Sequence, residues 1–314
     1  MWNTIAAMLS RLSFGSITMA LFIFKISSLI IHLINCLIIK KLTKSNKYML
    51  LYGINPLVLL ELLSNVHNDI YLIFFVLLSL YFLIKKKNIC LTILFLILSI
   101  ALKYSTVLIV PFILLYCFRK KTLPKRILWC CLTGIIIVLF VILLYMPFYR
   151  DITIFTNMLA QDGKYSQSIM ALLIDSTKAN TFFRGINKFR IPLFAIIYCI
   201  ILIKSIFNRN SSIKHLMKNY NLIMLVFIFI CLTTFQRWYV LWLLPTIIWQ
   251  NKNMRYFIIN ITITGMIPLF TYFKVKHEIF RRGLYYSLMM IVLAVIFTIA
   301  YKILKRMRKY ICQD

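Results

Sequence analysis

Long apolar runs separated by short basic clusters recur along this chain, and they limit its fold more than any other feature. Several runs approach the roughly 20 residues that a helix needs to cross a bilayer. Of the 314 residues, 62% are hydrophobic, and the mean hydropathy is +0.89. One soluble core cannot bury so much apolar surface. The sequence therefore predicts an all-α, polytopic transmembrane helical bundle with the bilayer as its solvent.

Basic clusters and polar breaks divide the chain into about eleven predicted membrane segments. These cover residues 14–39, 47–63, 70–84, 88–102, 104–118, 127–149, 191–207, 220–235, 238–250, 256–273 and 284–303. Segments such as 104–118 and 238–250 are shorter than a full span, which is typical of broken helices that end inside protein or a wet cavity. We expect residues 1–314 to form a single integral membrane domain.

The formal net charge of +30 indicates an orientation in the membrane. Lys and Arg form clusters between apolar runs, as the positive-inside rule expects, so membrane lipids are the predicted partners and nucleic acid is not. With the N-terminus outside, most basic residues and the C-terminal tail lie in the cytoplasm of a multi-pass cell-membrane protein. If residues 88–118 formed one helix, the membrane orientation of every later segment would be reversed and the basic tail would lie outside. The charge bias therefore favours two helices.

The longest polar stretch, residues 150–190, lies on the outer side in this topology. Its charged side chains include Asp151, Asp162 and Asp175 among basic residues. A loop of this length in a compact membrane protein is more often a lid or a binding element than a connector. We therefore interpret residues 150–190 as a functional outer loop.

The densest polar pattern lies between two apolar runs, at residues 55–69. It reads Asn55-Pro56-Leu57-Val58-Leu59-Leu60-Glu61, followed by Asn65-Val66-His67-Asn68-Asp69. Polar groups beside hydrocarbon are costly unless they line an enclosed or aqueous pocket. The alternative is a capped turn, in which Asn68 or Asp69 caps the next helix and Pro56 begins a short one. Capping does not account for Glu61 and His67.

Two further polar elbows occur on the same predicted side, at Lys103 with Tyr104 and at residues 236–239. Lys103 alone could be a snorkelling lysine, and Arg237 an interfacial anchor with aromatic neighbours. Beside a carboxylate and an imidazole, however, the two cations fit a site that grips a lipid phosphate while a base activates a hydroxyl. The hypothesis is that Glu61, His67, Asp69, Lys103 and Arg237 converge on one outer cavity.

Other site chemistry has little support in the sequence. Only seven acidic residues are present, and the eight cysteines show neither CxxC nor metal spacing. No cofactor is predicted, and neither a divalent-metal requirement nor the oligomeric state can be read from the sequence.

At the polar elbows the chain resembles the integral-membrane glycosyltransferases of the C fold class, in particular the bacterial polyprenyl-phosphate-mannose-dependent mannosyltransferase-like proteins. The matching elements are residues 55–61, His67-Asn68-Asp69, Lys103 with Pro111 downstream, and the run from Trp238 to Pro245. The resemblance extends from about Trp2 to Pro245. It implies inverting transfer of a hexose, with mannose expected, from a polyprenyl-phosphate sugar donor to an acceptor on the outer face.

The resemblance and the charge pattern together assign expected roles to the polar residues. The catalytic candidates are Asp69, His67 and Glu61, of which Asp69 is expected to orient the acceptor or the sugar. Lys103 and Arg237 are expected to hold the departing lipid phosphate. The expected substrate pocket comprises Asn55, Asn65, Asn68, Gln236, Trp238 and Tyr239.

One departure leaves other functions open. The resembled proteins usually carry an earlier span and a large first outer loop with the main catalytic carboxylate, whereas this sequence starts at Met1-Trp2-Asn3. We therefore expect either a misassigned start or an N-terminally truncated form, which leaves an inactive chain as one possibility. A transporter or lipid flippase would also use broken helices, although no internal repeat is visible. A non-catalytic membrane protein is the remaining alternative.

Overall fold

A computed structural model describes residues 2–149, 151, 181–208, 212–266 and 290–301, and the backbone alone for residues 181–188. The described part of the chain is helical and contains no β-strand, which confirms the predicted all-α class. The chain divides into two compact units, one of Met1–Ile154 with Tyr198–Asn221 and one of Phe155–Ile197 with Leu222–Asp314. The single membrane domain over residues 1–314 stays a prediction.

The first unit begins with seven α-helices and shorter helical segments between them. The α-helices are α1 (Trp2–Arg11), α2 (Ile17–Thr43), α3 (Asn46–Gly53), α4 (Asp69–Tyr81), α5 (Ile89–Leu102), α6 (Val110–Cys117) and α7 (Leu123–Tyr145). The segments between and after them are the π-helices Val58–Ser64 and Phe82–Lys86 and the 3₁₀-helices Tyr104–Ile109 and Met146–Phe148. Short polar residues set several helix starts: Asn88 Oδ1, for example, accepts a hydrogen bond of 2.9 Å from the Leu91 amide at the start of α5.

Two helices, α8 (Thr181–Phe207) and α9 (Ile213–Val226), have residues in both units. The second unit continues with the π-helix Phe227–Cys231, the 3₁₀-helix Arg237–Trp249, α10 (Lys252–Thr264) and α11 (Met290–Tyr301). A 3₁₀ run of 13 residues is unusual, because its hydrogen-bond geometry is poorer than that of an α-helix. Residues Val240–Ile247 of this run are buried.

The centre of the first unit is α4. Its side chains Ile70, Leu72, Ile73, Val76, Leu77 and Leu80 are buried, and it packs mainly against α2 and α5. By contrast, α7 is mostly exposed along its apolar length, as a lipid-facing helix should be. Since Asp69 is the first residue of α4, the site residues near it are attached to the most buried helix of the unit.

The described part of the chain contains fewer helices of membrane-spanning length than the sequence predicts. Four helices in the described part are long and apolar enough to cross a membrane, namely Ile17–Thr43, Leu123–Phe148, Phe189–Phe207 and Ile213–Cys231. A fifth span results if Val58–Ser64 and Asp69–Lys86, which are bent by 109°, are counted together. These helices support membrane association, but the prediction of about eleven segments is not supported.

Where the structure describes the predicted segments, several fold into pieces too short to span, and parts of the predicted segments 256–273 and 284–303 lie outside the described residues. The predicted segment 47–63 becomes α3 and a π-helix, and 104–118 becomes a 3₁₀-helix followed by α6. The predicted segment 238–250 lies within one 3₁₀-helix. Hydropathy registers such runs as membrane-compatible, although their helices are interrupted by polar elbows or are only 8–14 residues long. Of the predicted loop 150–190, residues 150 and 152–180 lie outside the described part, and α8 begins at Thr181.

Candidate active site

The first polar elbow begins with a helix cap at Asn55. The buried Asn55 Oδ1 accepts hydrogen bonds from the Leu57 amide at 3.1 Å and the Val58 amide at 3.3 Å. Pro56, which needs no amide partner, is the first residue of this helical turn. The interpretation of Pro56 as the start of a short helix is therefore confirmed, and Asn55 has a structural role whatever else it contacts.

Glu61 lies on the π-helix Val58–Ser64, with its side chain fully buried. Its Oε2 atom lies 3.2 Å from His67 Nε2 and accepts a hydrogen bond of 3.0 Å from Asn65 Nδ2. π-Helices are rare and occur frequently at functional sites. The structure thus joins three predicted site residues, Glu61, Asn65 and His67, in one cluster.

The backbone between Asn65 and His67 is strained where it turns back over Glu61. Val66 has φ 55°, in the left-handed region that a β-branched residue rarely adopts. The turn lets the His67 amide donate to the Glu61 carbonyl at 3.0 Å and the Asn65 amide donate to the Leu60 carbonyl at 2.9 Å. Strain of this kind persists only where the surroundings enforce it, and it is concentrated at functional sites.

Asp69 forms an ion pair with the second polar elbow. Its Oδ1 atom accepts a hydrogen bond of 3.0 Å from Lys103 Nζ, so residues 34 positions apart are joined. Lys103 has an extended backbone, with φ −156°, between α5 and the 3₁₀-helix Tyr104–Ile109. The break that the sequence predicts within residues 88–118 is therefore located at Lys103.

The structure does not show the capping alternative for Asn68. Asn68 is the residue before α4, but its side chain makes no capping hydrogen bond. The amides of the first turn of α4 instead bond to backbone carbonyls. The Ile70 amide donates to the His67 carbonyl at 3.2 Å, and the Tyr71 amide donates to the Asn68 carbonyl at 3.1 Å. Asn68 is half-buried beside the two ion-pairing residues.

In both pairs, Glu61–His67 and Asp69–Lys103, the carboxylate is buried and its partner is partly exposed. The side chains of Glu61 and Asp69 are 0% and 1% exposed, whereas those of His67 and Lys103 are 29% and 23% exposed. A buried carboxylate needs a close partner, because burying an uncompensated charge is expensive. Each carboxylate therefore fixes a group that can reach a ligand: an imidazole able to exchange a proton, and an ammonium able to bind an anion.

The third polar elbow lies in the second unit. Gln236 is extended and precedes the 3₁₀-helix that begins with Arg237, and the Tyr239 amide donates to the Gln236 carbonyl at 2.9 Å. The Trp238 and Tyr239 rings meet edge to face at 6.0 Å, and all four residues are half-buried. Convergence of Arg237 with Lys103 on one cavity stays a prediction.

Sequence reasoning missed residues that support the start of α4 and the Lys103 elbow. On α2, the buried Asn35 Nδ2 donates to Tyr52 Oη at 3.1 Å and lies 3.5 Å from the Ile70 carbonyl, next to Asp69. An asparagine inside an apolar run was a detectable signal, because intramembrane polar residues usually have partners. The backbone bonds of Lys103 with Ser99 and Thr106, and the bond from Tyr145 to the nearby Ala101 carbonyl, were not predicted either.

Metal-ligand chemistry has no structural support within the described residues. There, His, Cys, Asp and Glu do not gather in groups of three or more that could hold an ion. The two carboxylates are occupied instead by His67 and Lys103.

Comparison with known proteins adds one finding. No curated protein and no solved structure matches the chain significantly. Residues 1–119 match the family model described as Alpha-(1->6)-mannopyranosyltransferase, N-terminal domain. This stretch contains both ion pairs, while Arg237 and its neighbours lie beyond it. The match shows that this N-terminal stretch is similar to a mannosyltransferase domain, and the apolar helices suggest membrane association.

Proposed function

We propose that this protein is a membrane glycosyltransferase that transfers mannose from a polyprenyl-phosphate donor to an acceptor on the outer face of the cell membrane. The proposal is supported by two buried carboxylates near the start of α4, Glu61 and Asp69. Each is paired with a more exposed side chain, His67 and Lys103 respectively. Both pairs lie within the stretch that matches a mannosyltransferase family model. The proposed site has a proton acceptor and an anion-binding cation, the two groups that this reaction needs.

His67 is the proposed general base. If Nε2 carries the hydrogen donated to Glu61, Nδ1 is the nitrogen that can accept a proton, and Glu61 stabilises the imidazolium that forms. The acceptor oxygen bonds to the anomeric carbon while the bond from that carbon to the phosphate oxygen breaks. The hydroxyl proton passes to His67, and the lipid phosphate leaves with the electron pair of the broken bond.

Lys103 is the proposed phosphate grip. A departing phosphate gains negative charge, and a positioned ammonium stabilises it most strongly where water is excluded. Asp69 acts through Lys103 in this proposal, because it is almost fully buried and bonded to the ammonium. This role differs from the sequence-based expectation that Asp69 orients the acceptor or the sugar.

The proposal is tested with the purified chain in vesicles, given radiolabelled polyprenyl-phosphate mannose and a mannoside acceptor. We expect mannose in the product, and a large loss of transfer in His67→Ala and Lys103→Ala. Lys47→Ala is the matched control, because Lys47 is an exposed lysine at the start of α3. Absence of transfer in the unchanged protein, or transfer that survives both site substitutions, would refute the proposal.

A lipid flippase or transporter is the second candidate, and the bent helix pair favours it. Val58–Ser64 and Asp69–Lys86 meet at 109°, and transporters place substrate sites at broken helices of this kind. The same vesicles distinguish the two functions. A flippase would move a fluorescent polyprenyl-phosphate lipid between leaflets without forming a sugar bond, whereas a non-catalytic protein would do neither.

A further inference from the structure

We propose that Tyr145, Ser99 and Thr106 are positioning residues that set Lys103 for the lipid phosphate, a role that rests on the proposed function. All of them lie in the first unit with Lys103. Tyr145 lies on α7, beyond the stretch that matches the family model. The proposed site thus extends to a helix that lies outside both the sequence motifs and the matched stretch.

The end of α5 explains why Tyr145 matters. An α-helix leaves its last carbonyls without intrahelical partners, and these need other donors. Lys103 leaves the helical conformation, so the Ala101 carbonyl belongs to this last turn. Tyr145 Oη donates to it at 2.7 Å, which ties α7 to a residue two positions before Lys103.

The hydroxyl groups of Ser99 and Thr106 join α5 to the 3₁₀-helix Tyr104–Ile109 across the break at Lys103. Their hydroxyl oxygens, Ser99 Oγ and Thr106 Oγ1, lie 3.1 Å apart, and both side chains are buried. Ser99 Oγ is also 3.5 Å from the Leu72 carbonyl, on the first turn of α4. The two hydroxyls therefore link α5, the 3₁₀-helix and the helix that begins with Asp69.

Lys103 is held at its main chain as well as at its ammonium. Its amide donates to the Ser99 carbonyl at 3.1 Å, and its carbonyl accepts from the Thr106 amide at 3.2 Å. Its Nζ donates to Asp69 at 3.0 Å. Because a lysine side chain is long and flexible, an anion site gains affinity when the protein has already ordered it. Loosening the backbone tethers should therefore weaken phosphate binding without removing the charge.

Single hydroxyl deletions test this role with little change in shape. The test variants are Tyr145→Phe and Thr106→Val, and Thr106→Ser should restore the hydroxyl contact. The matched controls are Tyr81→Phe and Thr133→Val, since neither hydroxyl has a hydrogen-bond partner in the described part of the chain. Thermal unfolding of each purified variant shows whether it keeps the fold.

The first measurement is the acetylation rate of Lys103 by acetic anhydride, read by mass spectrometry with exposed Lys47 as the internal reference. Release of one hydrogen bond should accelerate Lys103 acetylation by roughly fivefold in Tyr145→Phe and Thr106→Val. Thr106→Ser and both controls should react at the unchanged rate. Equal rates in all variants, or equal acceleration at Lys47, would overturn the positioning role.

The second measurement is donor kinetics in vesicles. Tyr145→Phe should raise the donor KM roughly fivefold, with kcat little changed. This rise should disappear in a Lys103→Ala background, because the Tyr145–Ala101 hydrogen bond acts through that lysine. An effect that persists without Lys103 would overturn the proposal. If no sugar is transferred but acetylation changes as expected, the proposed enzyme fails while the positioning of Lys103 stands.

Discussion

At the scale of single residues, burial separates groups that can meet a substrate from groups that hold them. Glu61 and Asp69 are buried, whereas His67 and Lys103 are partly exposed. A carboxylate without solvent contact acts best through its neighbour, by fixing that neighbour's position and charge. The acidic side chains therefore affect the proposed reaction through His67 and Lys103.

The Asp69–Lys103 pair gives a residue-scale prediction about donor binding. Asp69→Asn keeps the shape but removes the charge that orients Lys103, so donor affinity should fall by about 1.5–3 kcal/mol, as for one charge-assisted hydrogen bond. The measurement is the donor KM with the acceptor saturating. A variant with unchanged donor KM and reduced kcat would instead restore the acceptor-orienting role expected from the sequence.

Val66 gives a second prediction, about strain. Glycine usually makes a protein less stable than alanine does at the same position, but at φ 55° only glycine escapes the clash of Cβ. Val66→Gly should therefore be more stable than Val66→Ala, by roughly 1 kcal/mol. Unfolding of the two variants in detergent measures the difference. If Val66→Ala were instead the more stable variant, the backbone at position 66 would have left the left-handed conformation, and the prediction would be wrong.

At the scale of elements, the site is built from helix ends. The π-helix Val58–Ser64 carries Glu61, α4 begins with Asp69, and α5 ends just before Lys103. Helix ends carry unpaired backbone groups and permit abrupt changes of direction. Polar side chains from segments distant in sequence can therefore meet there, while helix interiors supply the apolar packing.

The Asn55 cap gives the prediction at this scale. Asn55→Ala should lower the free energy of unfolding by about 1 kcal/mol, because the Leu57 and Val58 amides lose their acceptor. Asn55→Asp should keep most of the stability. Ser45→Ala is the control, since Ser45 precedes α3 without a side-chain capping bond. Equal losses at positions 45 and 55 would argue against the cap.

At the scale of the whole molecule, the exposed apolar helices and the basic clusters set the relation to the membrane. Helix α7 has apolar side chains exposed over most of its length, and Arg119 and Lys121 lie over the rings of Tyr116 and Trp129 at its cytoplasmic end in the predicted topology. Such cation–aromatic contacts are favourable near a membrane interface. The charge bias predicts that this end is cytoplasmic.

Cysteine labelling in intact cells tests that orientation. In a background without other cysteines, Tyr149→Cys should react with an impermeant maleimide from outside, because the exposed Tyr149 follows α7. In a second variant that keeps native Cys90 alone, this exposed thiol beside Lys85–Lys87 should react only after permeabilisation. The reverse pattern would invert the predicted topology.

The sequence by itself determined the all-helical class, the membrane-compatible runs, the turn at Asn55-Pro56 and the break at Lys103. These features depend on local hydrophobicity and on residues that start or interrupt helices, which a single sequence displays. The predicted count of about eleven spans is not supported by the described residues, because hydropathy does not show whether an apolar run stays one straight helix.

Only the tertiary structure decided which polar groups are partners. Asp69 meets Lys103 across 34 positions because α4 packs against α5, and Tyr145 reaches Ala101 across 44 because α7 packs beside it. Burial of Glu61 and partial exposure of His67 depend on the π-helix and the strained turn at Val66. Such contacts come from the packing of whole helices, and neither residue type nor spacing along the chain specifies them.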